Sequence, residues 1–185
     1  ANVGTAKTVT ITSSYTGADV SNYSITNQTS TTADISAKAL TATASASNKT
    51  YNATNSASVT LTLSGLVGSE TLGSTNTSTF NNKNVGTGKT VTVNSITLAD
   101  GSGLAANYSI SSGQTTTANI IAKSLTVSGI TASNKTYDGS TNVTLTGTAV
   151  YSGLVSGDTF NGTFIGAFSD KNAGVGKTVT ITSSY

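Results

Sequence analysis

The sequence predicts an all-β protein: tandem antiparallel β-sandwich modules of Ig-like type, joined head to tail. Three observations predict it. Apolar and polar residues alternate in short runs, with no long amphipathic helical stretch among them. Thr, Ser, Asn and Gly take the place that charged residues usually hold, and these types suit strand faces and turns. The same phrases also return about 85 residues apart, as between Asn22 and Asn107. A β-grasp module with little helix is the alternative arrangement.

The repeat sets the boundaries. "NYSIT" at Asn22 returns as "NYSIS" at Asn107, and "AKALT" at Ala37 as "AKSLT" at Ala122, both 85 positions on. "NKTY" at Asn48 returns at Asn134, 86 on, and "SGLVGSE" at Ser64 returns as "SGLVSGD" at Ser152, 88 on. "NVGTGKTVTV" at Asn84 matches "NVGTAKTVTI" at Asn2 and "NAGVGKTVTI" at Asn172. Residues 39–123 therefore hold one complete copy. Residues 1–38 read as the C-terminal half of a preceding copy, and residues 124–185 as the N-terminal and middle part of a following one. The start reads as the inside of a repeat, so a piece of a longer array is expected. A period this long exceeds the roughly 20–30 residues of a leucine-rich repeat coil and suits a string of small domains.

Along the chain, "KTVTIT" sets Val9 and Ile11 on one face, and Val91 with Val93 and Val179 with Ile181 repeat the pattern. "SVTLTLSGL" does the same with Val59, Leu61 and Leu63, and "NVTLTG" with Val143 and Leu145. Period two of this kind marks a half-buried antiparallel strand. "TFNGTFIGAF" is expected to set Phe160, Phe164 and Phe168 as core anchors on one longer strand. "TTADISAKALT" and "TTANIIAKSLT" read as a last strand running straight into the next copy, a stiff junction without Pro. "SGLVSGD" reads as one short helical turn. Asp138-Gly139 in "NKTYDGSTN" reads as a type I′ hairpin turn with Tyr137 as a packing anchor, and Asn52 stands where Asp138 does.

Composition restricts function. Charged residues make up 9% of the chain, against about 25% in an average domain. The nine lysines are unaccompanied by arginine and the net charge is +2, which makes no basic stripe for nucleic acid. There is no Cys, so disulfides and thiolate metal sites are excluded. There is no His, and the seven acids stand apart from one another, which argues against an enzyme. No stretch approaches the roughly 20 apolar residues of a membrane helix, so no membrane insertion is expected here.

Each motif that suggests chemistry has a plainer reading. Asp138 is a calcium-type ligand, but no D-x-D-x-D-G spacing follows it. "VGTGKT" at Val85 lacks the first glycine of a phosphate loop and precedes a strand. Lys89, Lys7 and Lys177 are candidates for an internal isopeptide crosslink, yet their spacing shows no buried acid. The sequons at Asn22, Asn27, Asn48, Asn52, Asn76, Asn107, Asn134, Asn142 and Asn161 are expected by chance in a chain this rich in Asn, Ser and Thr. The recurrent tyrosines Tyr51 and Tyr137, Tyr23 and Tyr108, Tyr15 and Tyr185 read as packing at sheet edges or junctions before binding. Catalytic, cofactor-binding and metal residues are therefore expected to be none.

The phrases "NKTYDGSTNVTLTG", "SGLVSGDTF", "DKNAGVGKTVTI" and "NYSIT", motifs of which several occur in the same order in more than one copy, resemble the YDG-type repeats of bacterial filamentous-haemagglutinin-like exoproteins and other adhesins. The resemblance covers essentially the whole chain. It implies secretion to the bacterial cell surface, a β-rich module, and a stalk, fibre or filament role without known catalytic residues. Its departure is Tyr51-Asn52-Ala53, where the last copy has Tyr137-Asp138-Gly139. The expected partners are copies of the same repeat, completing one another's half modules by strand pairing. A host glycan or protein bound by an adhesive module is the alternative.

Overall fold

A computed structural model describes residues 1–185, and the chain is nearly all β, with two single turns of 3-10 helix and no α-helix. It divides into two compact units. The first comprises Ala1–Lys49, Asn55–Asn82 and Gly86–Asn119, and the second Thr50–Thr54, Lys83–Val85 and Ile120–Tyr185.

Ten strands begin in the first unit. They are β1 (Gly4–Thr10), β2 (Ser30–Ile35), β3 (Lys38–Ala39), β4 (Thr41–Ala46), β5 (Lys49–Thr50), β6 (Val59–Ser64), β7 (Leu72–Phe80), β8 (Gly86–Asp100), β9 (Tyr108–Ser109) and β10 (Thr115–Ile121). Four of them form a sheet in the order β5-β10-β8-β7. β7 and β8 pair antiparallel from Leu72↔Asp100 to Phe80↔Val91, with a register shift between Thr77 and Ser78. Period-two alternation turns Phe80, Val91 and Val93 inward, where they are buried with Ala118 and Ile120 of β10. β4 and β6 form a regular hairpin of six pairs from Thr41↔Ser64 to Ala46↔Val59.

The second unit holds β11 (Thr126–Ser128), β12 (Thr131–Ala132), β13 (Leu145–Thr146), β14 (Val150–Ser152), β15 (Thr163–Phe168) and β16 (Val179–Ser184). β15 and β16 pair from Thr163↔Ser184 to Phe168↔Val179. β11 pairs with β14 and β12 with β13. These two short pairs are the β4–β6 hairpin broken in the middle. Thr126↔Ser152 corresponds to Thr41↔Ser64, and Ala132↔Leu145 to Ala46↔Val59. Between them, Gly129-Ile130 faces Gly147-Thr148-Ala149 where the first copy has only Ala44↔Leu61. One extra residue on one strand and two on the other account for the drift of the repeat from 85 to 86 to 88 positions.

Several expectations change. The all-β expectation holds, with the strands paired as one four-stranded sheet and six two-stranded pairs. β3 pairs parallel with β9, Lys38↔Tyr108 and Ala39↔Ser109, and not antiparallel. Phe164 and Phe168 lie on β15 as expected, but Phe160 lies before it, in edge contact with Tyr151 at 5.1 Å between ring centroids. "SGLVSGD" makes a turn closed by Asp158 N–H to the Val155 carbonyl at 3.0 Å, not a helix. The "YDG" turn is not type I′, because Gly139 has φ +77° and Asp138 does not have positive φ.

Candidate functional site

Three polar clusters are built from sequence phrases upward; the first and third recur on equivalent lysines of the two copies, and the second on equivalent carboxylates reached by non-equivalent tyrosines. The first is the loop after "NKTY". Lys135 at its start reaches back across the loop. Its Nζ donates to Asp138 Oδ1 at 2.7 Å, the Ser140 carbonyl at 2.8 Å and Ser140 Oγ at 3.0 Å. Lys49 donates likewise to the Ser56 carbonyl at 3.0 Å. Each ammonium also lies over an aromatic ring, Lys49 5.6 Å from the Phe80 centroid and Lys135 5.7 Å from that of Phe168.

Asp138 closes the turn with its side chain. Its Oδ1 accepts the Ser140 N–H at 2.9 Å, and Asn52 Oδ1 accepts the Thr54 N–H at 3.2 Å in the other copy. Asp and Asn serve equally, because a side-chain oxygen two residues back is all this turn needs. The left-handed residue is the next one, Gly139 at φ +77° and Ala53 at φ +62°. Asn52, the residue better suited to that region, does not take it, and the strain falls on Ala53. Ala in this region costs about 1–2 kcal/mol, and a glycine's extra unfolded freedom costs about 0.4–1 kcal/mol. Ala53→Gly is therefore expected to raise stability by about 0.5–1 kcal/mol. Urea denaturation checks this, and Gly139→Ala is expected to move the midpoint the other way.

Lys135 holds the Asp138 carboxyl down at about 2, with help from the Ser140 N–H. A carboxylate with a lowered folded pKa stabilises the fold above its ordinary pKa, and that contribution is lost as pH falls through about 2. An acid titration of the wild type should therefore lose stability between about pH 4 and 2 more steeply than Asp138→Asn, as followed by thermal melts. The cation beside Asp138 is the Lys135 ammonium, 2.7 Å from its Oδ1.

The second cluster sits on the "SGLV" turn. The Tyr108 hydroxyl donates to Glu70 Oε2 and accepts the Val67 N–H at 3.1 Å. In the second unit Tyr51 donates to Asp158 Oδ1 at 3.2 Å. Both phenols are shifted up, first by these carboxylate bonds. Tyr108 is buried, as the packing expectation requires, while Tyr137 is 62% exposed and anchors nothing within the unit.

The third cluster involves the "GKT" lysines. Lys89 Nζ donates to Asn82 Oδ1 at 2.7 Å, and Lys177 pairs with Asp170. Asp170 is held ionised by Lys177 and by the Asn172 N–H, and its side chain is 49% exposed. An ionised, solvated carboxylate does not condense with an amine, so this geometry makes an ion pair. Lys7 bonds to no acid or amide side chain. "VGTGKT" runs straight into β8, with Gly88 at φ +58° and its N–H bonded to Asn119 Oδ1 at 2.8 Å.

Two roles escaped the sequence reading. Lys49 and Lys135 knit their loops, and Phe80 and Phe168 receive them. The available signal was spacing, 86 residues between the lysines and 88 between the rings. No group of three or more His, Cys, Asp or Glu converges as a metal site. The sequon amides engaged in the fold include Asn48, whose Oδ1 takes the Asn119 N–H at 2.7 Å, Asn76, which donates to the Val59 carbonyl at 2.9 Å, and Asn107, whose Oδ1 takes the Val3 N–H at 2.9 Å.

Fold and clusters together define a tandem β-repeat protein, in which the recurring polar residues close turns and tie strands. The chain belongs to the YDG domain family, which matches it twice, at residues 36–118 and 121–185. No curated protein and no solved structure matches it.

Proposed function

We propose that this chain is a structural repeat segment of a secreted bacterial cell-surface stalk, fibre or filament. In it, modules of about 85 residues of Ig-like sandwich type follow one another head to tail. The observation that carries this reading is the recurrence of loop-closing lysines, Lys49 with Lys135 and Lys89 with Lys177, in two consecutive YDG domains. What the copies share is scaffold, as an array that spans distance requires. The sparse charge and the abundance of Thr, Ser and Asn suit a polar outer surface. Copies of the repeat associate with one another head to tail by strand pairing.

The test is labelling of intact cells that produce the protein. An antibody raised against residues 1–185 is expected to stain unpermeabilised cells. Staining only after permeabilisation overturns the surface reading.

A further inference from the structure

We propose that Tyr51 is a clasp on the link between β10 and β11: it holds residues 121–125 closed and so keeps a protease that cuts after lysine from the Lys123 peptide bond.

One residue bonds on both sides of the link. The Tyr51 N–H donates to the carbonyl of Ile121, the last residue of β10, at 2.8 Å. Its hydroxyl donates to Asp158 Oδ1 at 3.2 Å. Asp158 sits on the turn that follows β14, and β14 is the partner of β11. The two bonds of Tyr51 therefore fall one before the link and one after it. Between them, Tyr51 lines a common hollow with Ala122, Lys123, Leu125 and Val155.

The two partners come from different repeats. Tyr51 and Asp158 are 107 positions apart, Tyr51 in the YDG domain at 36–118 and Asp158 in the one at 121–185. Yet Thr50–Thr54 belongs to the second compact unit, with Asp158. Glu70, the counterpart of Asp158, is bonded instead by Tyr108 of its own domain. The Tyr51 bond is thus a contact that one repeat makes with the next, the kind of neighbour term that couples repeats in an array.

The loop is built to present Tyr51. Asn52 Oδ1 accepts the Thr54 N–H at 3.2 Å and the Thr54 hydroxyl at 2.9 Å, which closes the turn directly after the tyrosine. The strained Ala53, at φ +62°, lies in the same turn. Strain kept in a short turn points to a segment held for what it presents.

The link under the clasp is otherwise a good protease target. Residues 121–124 are all exposed, and residues 122–125 lie in no strand. Proteolysis needs a segment to open locally, so an exposed lysine is cut only as often as its surroundings open. Loss of a hydrogen bond to a charged acceptor makes such an opening about ten times commoner.

Limited trypsin digestion of the full 185-residue chain, with fragments followed by mass spectrometry, tests this. In the wild type, cutting is expected at Lys171, in an exposed loop of the same unit, before Lys123. Tyr51→Phe keeps the ring and the backbone bond and loses only the hydroxyl. It is expected to raise the rate at Lys123 about tenfold and to leave the rate at Lys171 unchanged. Asp158→Ala should act alike, and the double variant should add nothing, because both remove one bond. Asp158→Asn keeps an acceptor oxygen and should raise the rate less. Three results overturn the proposal: wild-type cutting at Lys123 as fast as in Tyr51→Phe, an equal rise at Lys171, or additive effects in the double variant. The clasp does not depend on where the protein resides, so the digest and the cell labelling fail separately.

Discussion

Phe80→Ala is expected to lower the stability of the first unit by about 3–5 kcal/mol, the usual cost of emptying a core aromatic site. Phe80 is 2% exposed and closes β7 against Val91 of β8. Its ring also carries the Lys49 ammonium, so the loop that Lys49 ties should loosen with it. Phe168→Ala is the internal comparison. It holds the equivalent place under Lys135 but is only half-buried, so its cost should be smaller. Guanidinium unfolding followed by hydrogen exchange separates the two units. Equal losses at the two positions would show that burial does not decide the difference.

Gly147→Ala is expected to destabilise the second unit by at least about 2 kcal/mol. Gly147 and Gly129 face each other where the hairpin is interrupted, both at φ +89°. A Cβ on Gly147 would lie 2.1 Å from the Gly129 carbonyl oxygen, and one on Gly129 would lie 2.3 Å from that of Thr148. Both obstacles are backbone, so no rotamer change relieves them. Gly157→Ala is the control: its φ is also +89°, but a Cβ there meets nothing within 4 Å. The difference between the two variants in thermal midpoint isolates the steric part from the dihedral part.

Much of the fold was legible because it is written in alternation. Val59, Leu61 and Leu63 and the Phe164–Phe168 run name their strands and faces without help. The repeat period is legible because identical phrases fix positions, and the drift between them brackets the stretches that hold Gly129 and Gly147. The parallel β3–β9 pair was not legible, since two residues carry no period. The type of the "YDG" turn was hidden because Asp-Gly suits several turns, and the deciding hydrogen bond runs to Ser140, outside the dipeptide. Tyr137 was misjudged because a side chain's burial depends on the strand beside it, which its own phrase does not contain. The lysine-over-phenylalanine pairs bridge about 31–33 residues, beyond any local pattern.

The duplicated strand "KTVTITSSY" has a further consequence, which concerns effective concentration. β1 is tethered to β2 through residues 11–29, and a short flexible tether presents its strand at roughly millimolar local concentration. A free peptide of that sequence starts with no energetic advantage over β1, so it would displace β1 from β2 only near that millimolar range. Lengthening residues 11–29 would lower this threshold, and shortening them would raise it.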